Sequence, residues 1–192
     1  MPDPRRAIVV MGVSGCGKTS VGEGLATHLG APFVEGDALH PEANVAKMAA
    51  GIPFTDADRR PWLAAVAARV GADPAPVVVV SCSSLKRAYR DLLRAASGRP
   101  VGFLYLHGTE AVLARRMNAR EGHFMPPVLL ASQLATLEDP RGEPGVVTVE
   151  IGASFDEVIA SAIVVAEASA DVAGPGHVCH PNVGRPASQS SD

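Results

Sequence analysis

One segment, Gly12-Val-Ser-Gly-Cys-Gly-Lys-Thr19, constrains the fold of this 192-residue chain more than any other. It satisfies G-x-x-x-x-G-K-[ST] at every fixed position, a match that average residue frequencies would give by chance in about one chain in a hundred of this size. Its flanks are the ones the pattern requires. Ala7-Ile-Val-Val-Met11 is a short apolar run, the mark of a strand buried on both faces. From Lys18 the periodicity becomes helical, with Val21, Leu25, Ala26 and Leu29 on one face and Gly30 at the expected stop. A strand, glycine-rich loop and helix in this order cradle phosphate. The glycines let backbone amides turn inward, and the helix offers its positive end to the anion. Lys18 is expected to reach the β and γ phosphates and the Thr19 hydroxyl to ligate Mg²⁺. Gly12, Val13, Ser14, Gly15, Cys16, Gly17, Lys18, Thr19 and Ser20 are therefore the candidate nucleotide loop. Cys16 reads as a small residue tolerated there rather than as a reactive thiol.

The rest of the chain alternates strand and helix. Strands are expected at 32–35, 77–80, 101–106 and 146–150. Helices are expected at 41–50, 58–70, 84–96, 110–119, 128–137 and 155–168, the third capped by Ser83 or Ser84. This pattern predicts an α/β doubly wound fold with about five parallel strands in one domain, 1–168. Residues 169–192 are rich in Gly, Pro, Ser and Asn without periodicity and are expected to be a disordered tail. His177, Cys179 and His180 in that tail are too few for a structural zinc site.

Composition narrows the function. With 47% apolar and 19% charged residues the chain can bury a core, and its net charge of −3 gives no basic excess for nucleic acid or an anionic membrane. Three cysteines at no metal spacing suggest neither a disulfide framework nor zinc. The apolar run near the N-terminus is too short for a signal or membrane segment, so a soluble, cytoplasmic protein is expected.

A phosphate loop does not say what is done with the nucleotide. Val77–Val80 runs into Ser81 with no acid at its end. The acids follow the second strand instead, as Glu35-Gly36-Asp37, where parallel strands point into the ligand crevice. One can face Mg²⁺ and the other an acceptor hydroxyl. Cations follow two strand ends, as Lys47 and Arg59, then Lys86 and Arg90, which suits a small polar anion. Farther on, Arg116 and Arg120 share a helix face ahead of Gly122, His123, Pro126 and Pro127, a loop able to close over phosphates.

Taken in order, the loop 12–19, EGDALHPEANVAKMAAGIPFTDADRRPWL (35–63), CSSLKRAYRDLLR (82–94) and RMNAREGHFMPPVLLASQLATLE (116–138) resemble the thermoresistant-type gluconokinases. The resemblance runs from about Ile8 to Val165. It implies a three-layer P-loop fold related to shikimate and adenylate kinases, with a mobile lid at about 120–127. It implies ATP-dependent phosphorylation of D-gluconate to 6-phosphogluconate, commonly by a homodimer. On that basis Lys18, Asp37 and Arg120 are the expected catalytic residues. Thr19 is the expected metal ligand, with Glu35 behind it, and Arg116 lies by the adenine or lid phosphates. Asp37, His40, Lys47, Arg59, Lys86 and Arg90 are the expected acceptor-binding set. Three positions depart from the family's usual residues: Glu35 for Asp, Cys16 for Ser and Ser84 for Ala. Another small-molecule kinase such as a shikimate kinase, or a nucleotide-dependent regulatory module, remains the alternative.

Overall fold

A computed structural model describes residues 5–118 and 127–172. Five parallel strands, β1 (Arg6–Met11), β2 (Phe33–Glu35), β3 (Val77–Ser81), β4 (Val101–His107) and β5 (Val146–Glu150), form one sheet in the order β2-β3-β1-β4-β5. Helices α1 (Lys18–Leu29), α2 (Glu42–Ala49), α3 (Asp56–Ala72), α4 (Arg87–Ala96), α5 (Glu110–Asn118), α6 (Pro127–Thr136) and α7 (Phe155–Val172) connect or follow them. The five-strand parallel α/β fold expected from the sequence is present.

Period-two alternation divides the core. Ile8, Val10, Val79, Leu104 and Leu106 face α1, α5, α6 and α7. Ala7, Val9, Met11, Val78, Val80, Phe103 and Tyr105 face α3 and α4. Both faces are covered, so the strands read as continuous apolar runs. Each fully buried aliphatic side chain is worth about 1.5–3 kcal/mol. The chain moves from one side of β1 to the other after β3. That change of direction opens the crevice at the carboxyl ends of β1, β3 and β4.

Several element boundaries differ from expectation, and at the starts of α3 and α4 the physical reason is visible. Helix α3 starts at Asp56 rather than Asp58, because Thr55 and Asp58 form a reciprocal capping box: the Asp58 N–H donates to Thr55 Oγ1 at 3.3 Å and the Thr55 N–H to Asp58 Oδ2 at 2.9 Å. Helix α7 runs to Val172, past the end expected at 168. Helix α4 starts at Arg87, and neither Ser83 nor Ser84 caps it. Ser84 adopts φ 47°, a left-handed conformation that a helix cannot include. The α4 N-terminus is capped from 51 residues away, where the Arg87 N–H donates to Glu138 Oε2 at 2.7 Å.

Arg90 explains why residues 84–86 stay outside the helix. Its side chain is fully buried. Nη1 donates to the Ser84 and Leu85 carbonyls at 2.8 and 3.2 Å, while Nε and Nη2 grip Glu143 at 3.0 and 2.5 Å. Its donors are engaged by the protein, so Arg90 leaves the acceptor-binding set expected from sequence and becomes the staple between α4 and the β5 approach. The pair holds the Glu143 carboxyl below its usual range. Arg90→Met should strand Glu143 and cost about 3–5 kcal/mol. In a chain of this size that corresponds to a loss of roughly 6–20 °C in Tm, checked by thermal denaturation. An unchanged Tm would contradict the staple.

Candidate active site

The nucleotide loop takes the shape its sequence requires. Gly17, the residue before α1, has φ 97°, which an L side chain rarely adopts. Lys18 Nζ donates to the Val13 carbonyl at 3.2 Å, so the lysine folds over its own loop. Cys16 is fully buried, and burial pushes its thiol pKa up, which makes it a packing residue and not a thiolate.

The end of β2 is tied to this loop. Thr19 Oγ1 donates to Glu35 Oε2 at 2.7 Å, and Ser81 Oγ donates to Glu35 Oε1. Ser81 Oγ also accepts from the Gly36 N–H at 3.0 Å. A side chain at Gly36 would collide with the Ser81 carbonyl oxygen, so β2 can approach β3 this closely only with glycine there. No acid stands at the end of β3. The structure shows Ser81 at that place, holding the acid of the neighbouring strand. With its proton given to Glu35, the Thr19 oxygen keeps its lone pairs for a cation.

Asp37 lies one residue beyond, in a short 3₁₀ turn, Gly36–Leu39, and its side chain is 62% exposed. His40 follows at the turn's end. Its ring stacks on Trp62 with centroids 4.2 Å apart, and Trp62 is fixed in turn by donating Nε1–H to the Gly36 carbonyl at 2.7 Å. Asn44 sets the tautomer of His40. Its Nδ2 donates to the Asp58 carbonyl at 2.9 Å, which can only accept, and stands 3.2 Å from His40 Nδ1. Nδ1 is therefore the acceptor and Nε2 carries the proton, 3.8 Å from Asp37 Oδ1. Burial lowers the His40 pKa below its usual 6.5; Asp37 pulls it up and Arg59 pushes it down.

Arg59 is only 7% exposed. Nη1 donates to the Phe54 carbonyl at 2.8 Å and to Tyr89 Oη at 3.4 Å, and the guanidinium sits 5.8 and 5.7 Å from the Phe54 and Tyr89 rings. A cleft of about 70 Å³ brings together Ser14, Lys18, Asp37, His40, Arg59 and Gln133. Lys47 and Lys86 do not line it. Lys47 pairs with Asp58 at 2.6 Å, holding that carboxyl at about 2, and Lys86 pairs with Asp56 at 2.8 Å. Asp56 also accepts from Tyr89 Oη at 2.5 Å. The two lysines fix the first turn of α3, which presents Arg59.

Arg116 closes the other side of the loop. Nη2 donates to the Ile151 and Ala153 carbonyls at 2.7 and 3.0 Å, Nη1 to the Cys16 carbonyl at 3.4 Å, and the guanidinium covers the Phe155 ring at 4.3 Å. Arg120, Gly122, His123 and Pro126 lie outside the described residues, as do His177, Cys179 and His180. Sequence reasoning gave no site role to Trp62, Ser81, Asn44 or Gln133. A larger apolar groove of about 550 Å³ lies at the opposite end of the sheet, with Arg6 the one charged residue lining it among the described residues. No helix among the described residues is long and apolar enough to cross a membrane.

A family model described as an AAA domain matches residues 8–140. Among characterised relatives, the gluconokinase of Gluconobacter oxydans is 53% identical over 152 residues, covering 75% of this chain and 82% of that protein. The thermoresistant gluconokinase of Escherichia coli is 44% identical over 159 residues, covering 81% and 90%. The crystal structure of a gluconokinase from Sinorhizobium meliloti superposes with a TM-score of 0.82 at 52% identity, covering 90% of this chain and 97% of that one. A complete phosphate loop, an acidic turn opposite it and this degree of identity over most of both chains lead to one assignment: the chain belongs to the gluconokinase family of P-loop kinases.

Proposed function

We propose that the chain transfers the γ-phosphoryl group of Mg·ATP to the 6-hydroxyl of D-gluconate, releasing ADP and 6-phospho-D-gluconate. The observation that carries this reading is the cleft, where the Asp37 carboxylate and the Arg59 guanidinium share one wall system with Lys18 of the phosphate loop. A sugar acid needs both: a carboxylate to orient the hydroxyl that reacts, and a cation for the acid group. A nucleotide-dependent switch needs neither. The family's activity favours gluconate over shikimate as the acceptor.

The roles of the described residues follow from their surroundings. The Gly12 and Ser14 N–H groups are spent on the Ser83 carbonyl and on Gln133, so the later amides of the loop cradle the phosphates, and Lys18 leaves the Val13 carbonyl for the phosphate oxygens. Thr19 would hold Mg²⁺, with Glu35 behind it through water; the cation supplies neutralisation of the phosphate charge. Asp37 orients the 6-hydroxyl and accepts its proton late in transfer. His40, neutral and with its proton on Nε2, donates to an acceptor hydroxyl. Arg59, held rigid by Phe54 and Tyr89, binds the acceptor carboxylate. Lys47 and Lys86 act indirectly, by bracing α3. Arg116 borders the adenine. For Arg120 the family resemblance supports a role in neutralising developing charge, in a lid expected at about 120–127. We also read the protein as a cytoplasmic homodimer, with one kinase domain that ends with α7 at Val172 rather than at 168 and the residues after it as an appendage.

The test is ADP release, measured in a coupled assay against a panel of sugar acids and shikimate. D-gluconate should give the highest kcat/KM. Preference for shikimate, or nucleotide hydrolysis indifferent to every acid, would refute the proposal. Lys18→Ala should leave the Tm within about 2 °C and lower kcat by about 10³-fold or more, because the lysine faces phosphate and not core. A folded Lys18→Ala variant with near-normal kcat would contradict the phosphate-loop role.

A further inference from the structure

Gln133 makes a two-point clasp on the phosphate loop that no part of the mechanism above uses. The Ser14 N–H donates to Gln133 Oε1 at 2.7 Å, and Gln133 Nε2 donates to Ser14 Oγ at 3.0 Å, across 119 residues of chain. The orientation of the amide follows from chemistry. A backbone N–H can only donate, so Oε1 must face it and Nε2 must face the hydroxyl. Nε2 carries two hydrogens. Ser14 takes one, and the other has no partner among the described residues.

The clasp is not what docks α6. Leu130 is buried in the core, and Leu134 and Leu137 pack against it, so the helix is held by its apolar face. The half-buried amide instead lines the same cleft as Asp37, His40 and Arg59. Each of those has a distinct charge or polarity to offer a polyhydroxy acid. Arg59 suits the carboxylate and Asp37 the reacting hydroxyl. The remaining hydroxyls are neutral and need neutral partners. A fixed amide supplies one without the desolvation cost of another charge.

We propose that Gln133 is an acceptor-specificity residue: its second Nε2–H, aimed by the Ser14 clasp, donates to one of the C2–C5 hydroxyls of the bound sugar acid. The inference rests on the gluconate assignment above. A site built to bond a hydroxyl discriminates against an acceptor that lacks it, because the buried donor is then left unpaired.

The experiment compares wild type, Gln133→Met and Gln133→Glu on D-gluconate and on its 2-, 3-, 4- and 5-deoxy analogues, with Mg·ATP affinity measured without acceptor. Gln133→Met keeps the length and the apolar stem. Gln133→Glu keeps the acceptor for the Ser14 N–H and loses the donor. Both should lower kcat/KM for D-gluconate about 10- to 100-fold. Mg·ATP affinity should stay within about twofold of wild type for Gln133→Met, whereas the carboxylate of Gln133→Glu, beside the phosphate loop, weakens it by charge repulsion. For one deoxy analogue the wild type should show the same loss, and the substitutions should add nothing to it. For the other three the losses should multiply. Losses that multiply for all four analogues, or weakened Mg·ATP binding with acceptor kinetics unchanged, would overturn the role, as would no loss at all. A wild type that phosphorylates none of these acids overturns the gluconate assignment and this inference together. Normal wild-type turnover with an indifferent Gln133→Met removes Gln133 alone.

Discussion

The carboxylate of Glu35 joins the three elements on which the site depends. It accepts from Thr19 at the start of α1 and from Ser81 at the end of β3, and it stands at the end of β2. A strand of only three residues has little ladder of its own to fix its position. These two bonds, with the Gly36 N–H donating to Ser81 Oγ, lock its end against its neighbour. Everything acidic in the site follows from that lock. The chain leaves Glu35 into a single 3₁₀ turn, which delivers Asp37 and then His40 to the cleft. Trp62 reaches back to the Gly36 carbonyl and so registers α3 on the same turn. The phosphate loop and the acceptor wall are thereby fixed to each other through one side chain.

The cations form a second tier of support. Of the four expected to meet the acceptor, Arg59 alone lines the cleft. The others hold the scaffold. Lys47 and Lys86 pin Asp58 and Asp56 at the head of α3, and Arg90 ties α4 to Glu143. Single-sign crowding around a small anion would have been costly without the acid. Pairing three of the four cations with aspartate or glutamate removes that cost and leaves one rigid guanidinium for recognition.

The parts legible in sequence are those whose physics is local. The phosphate loop is contiguous, and its glycines, lysine and threonine each have a job set by neighbours within eight residues. Strands β1, β3, β4 and β5 declare themselves through apolar runs, whereas β2 is only Phe33-Val-Glu35. Glu35 and Asp37 were visible as acids at a strand end. What was not legible depends on contacts distant in sequence. The start of α4 is set by Glu138, Ser81 reaches Glu35 only because β3 lies beside β2, and Gln133 meets Ser14 across 119 residues of chain. The tautomer of His40 required Asn44 and Asp58 together. The capping box Thr55-Asp-Ala-Asp58 was a local signal, and the helix start could have been read from it.

The two carboxylates on this turn have different surroundings, and the proposed mechanism gives them different work. Glu35 is bonded to Thr19, the proposed metal ligand; Asp37 is exposed in the cleft that the proposal gives to the acceptor. Asp37→Asn separates the two roles directly, by measuring kcat and ATP affinity across a range of magnesium concentrations. Asparagine keeps the size and one acceptor oxygen and loses the charge. The division of roles predicts a fall in kcat of about 10²- to 10³-fold, the lower part of the general-base range because the transition state is loose. Affinity for Mg·ATP should stay within about threefold, and added magnesium should restore nothing. Weakened Mg·ATP affinity, with activity rescued as magnesium rises, would move Asp37 to the metal and contradict the division.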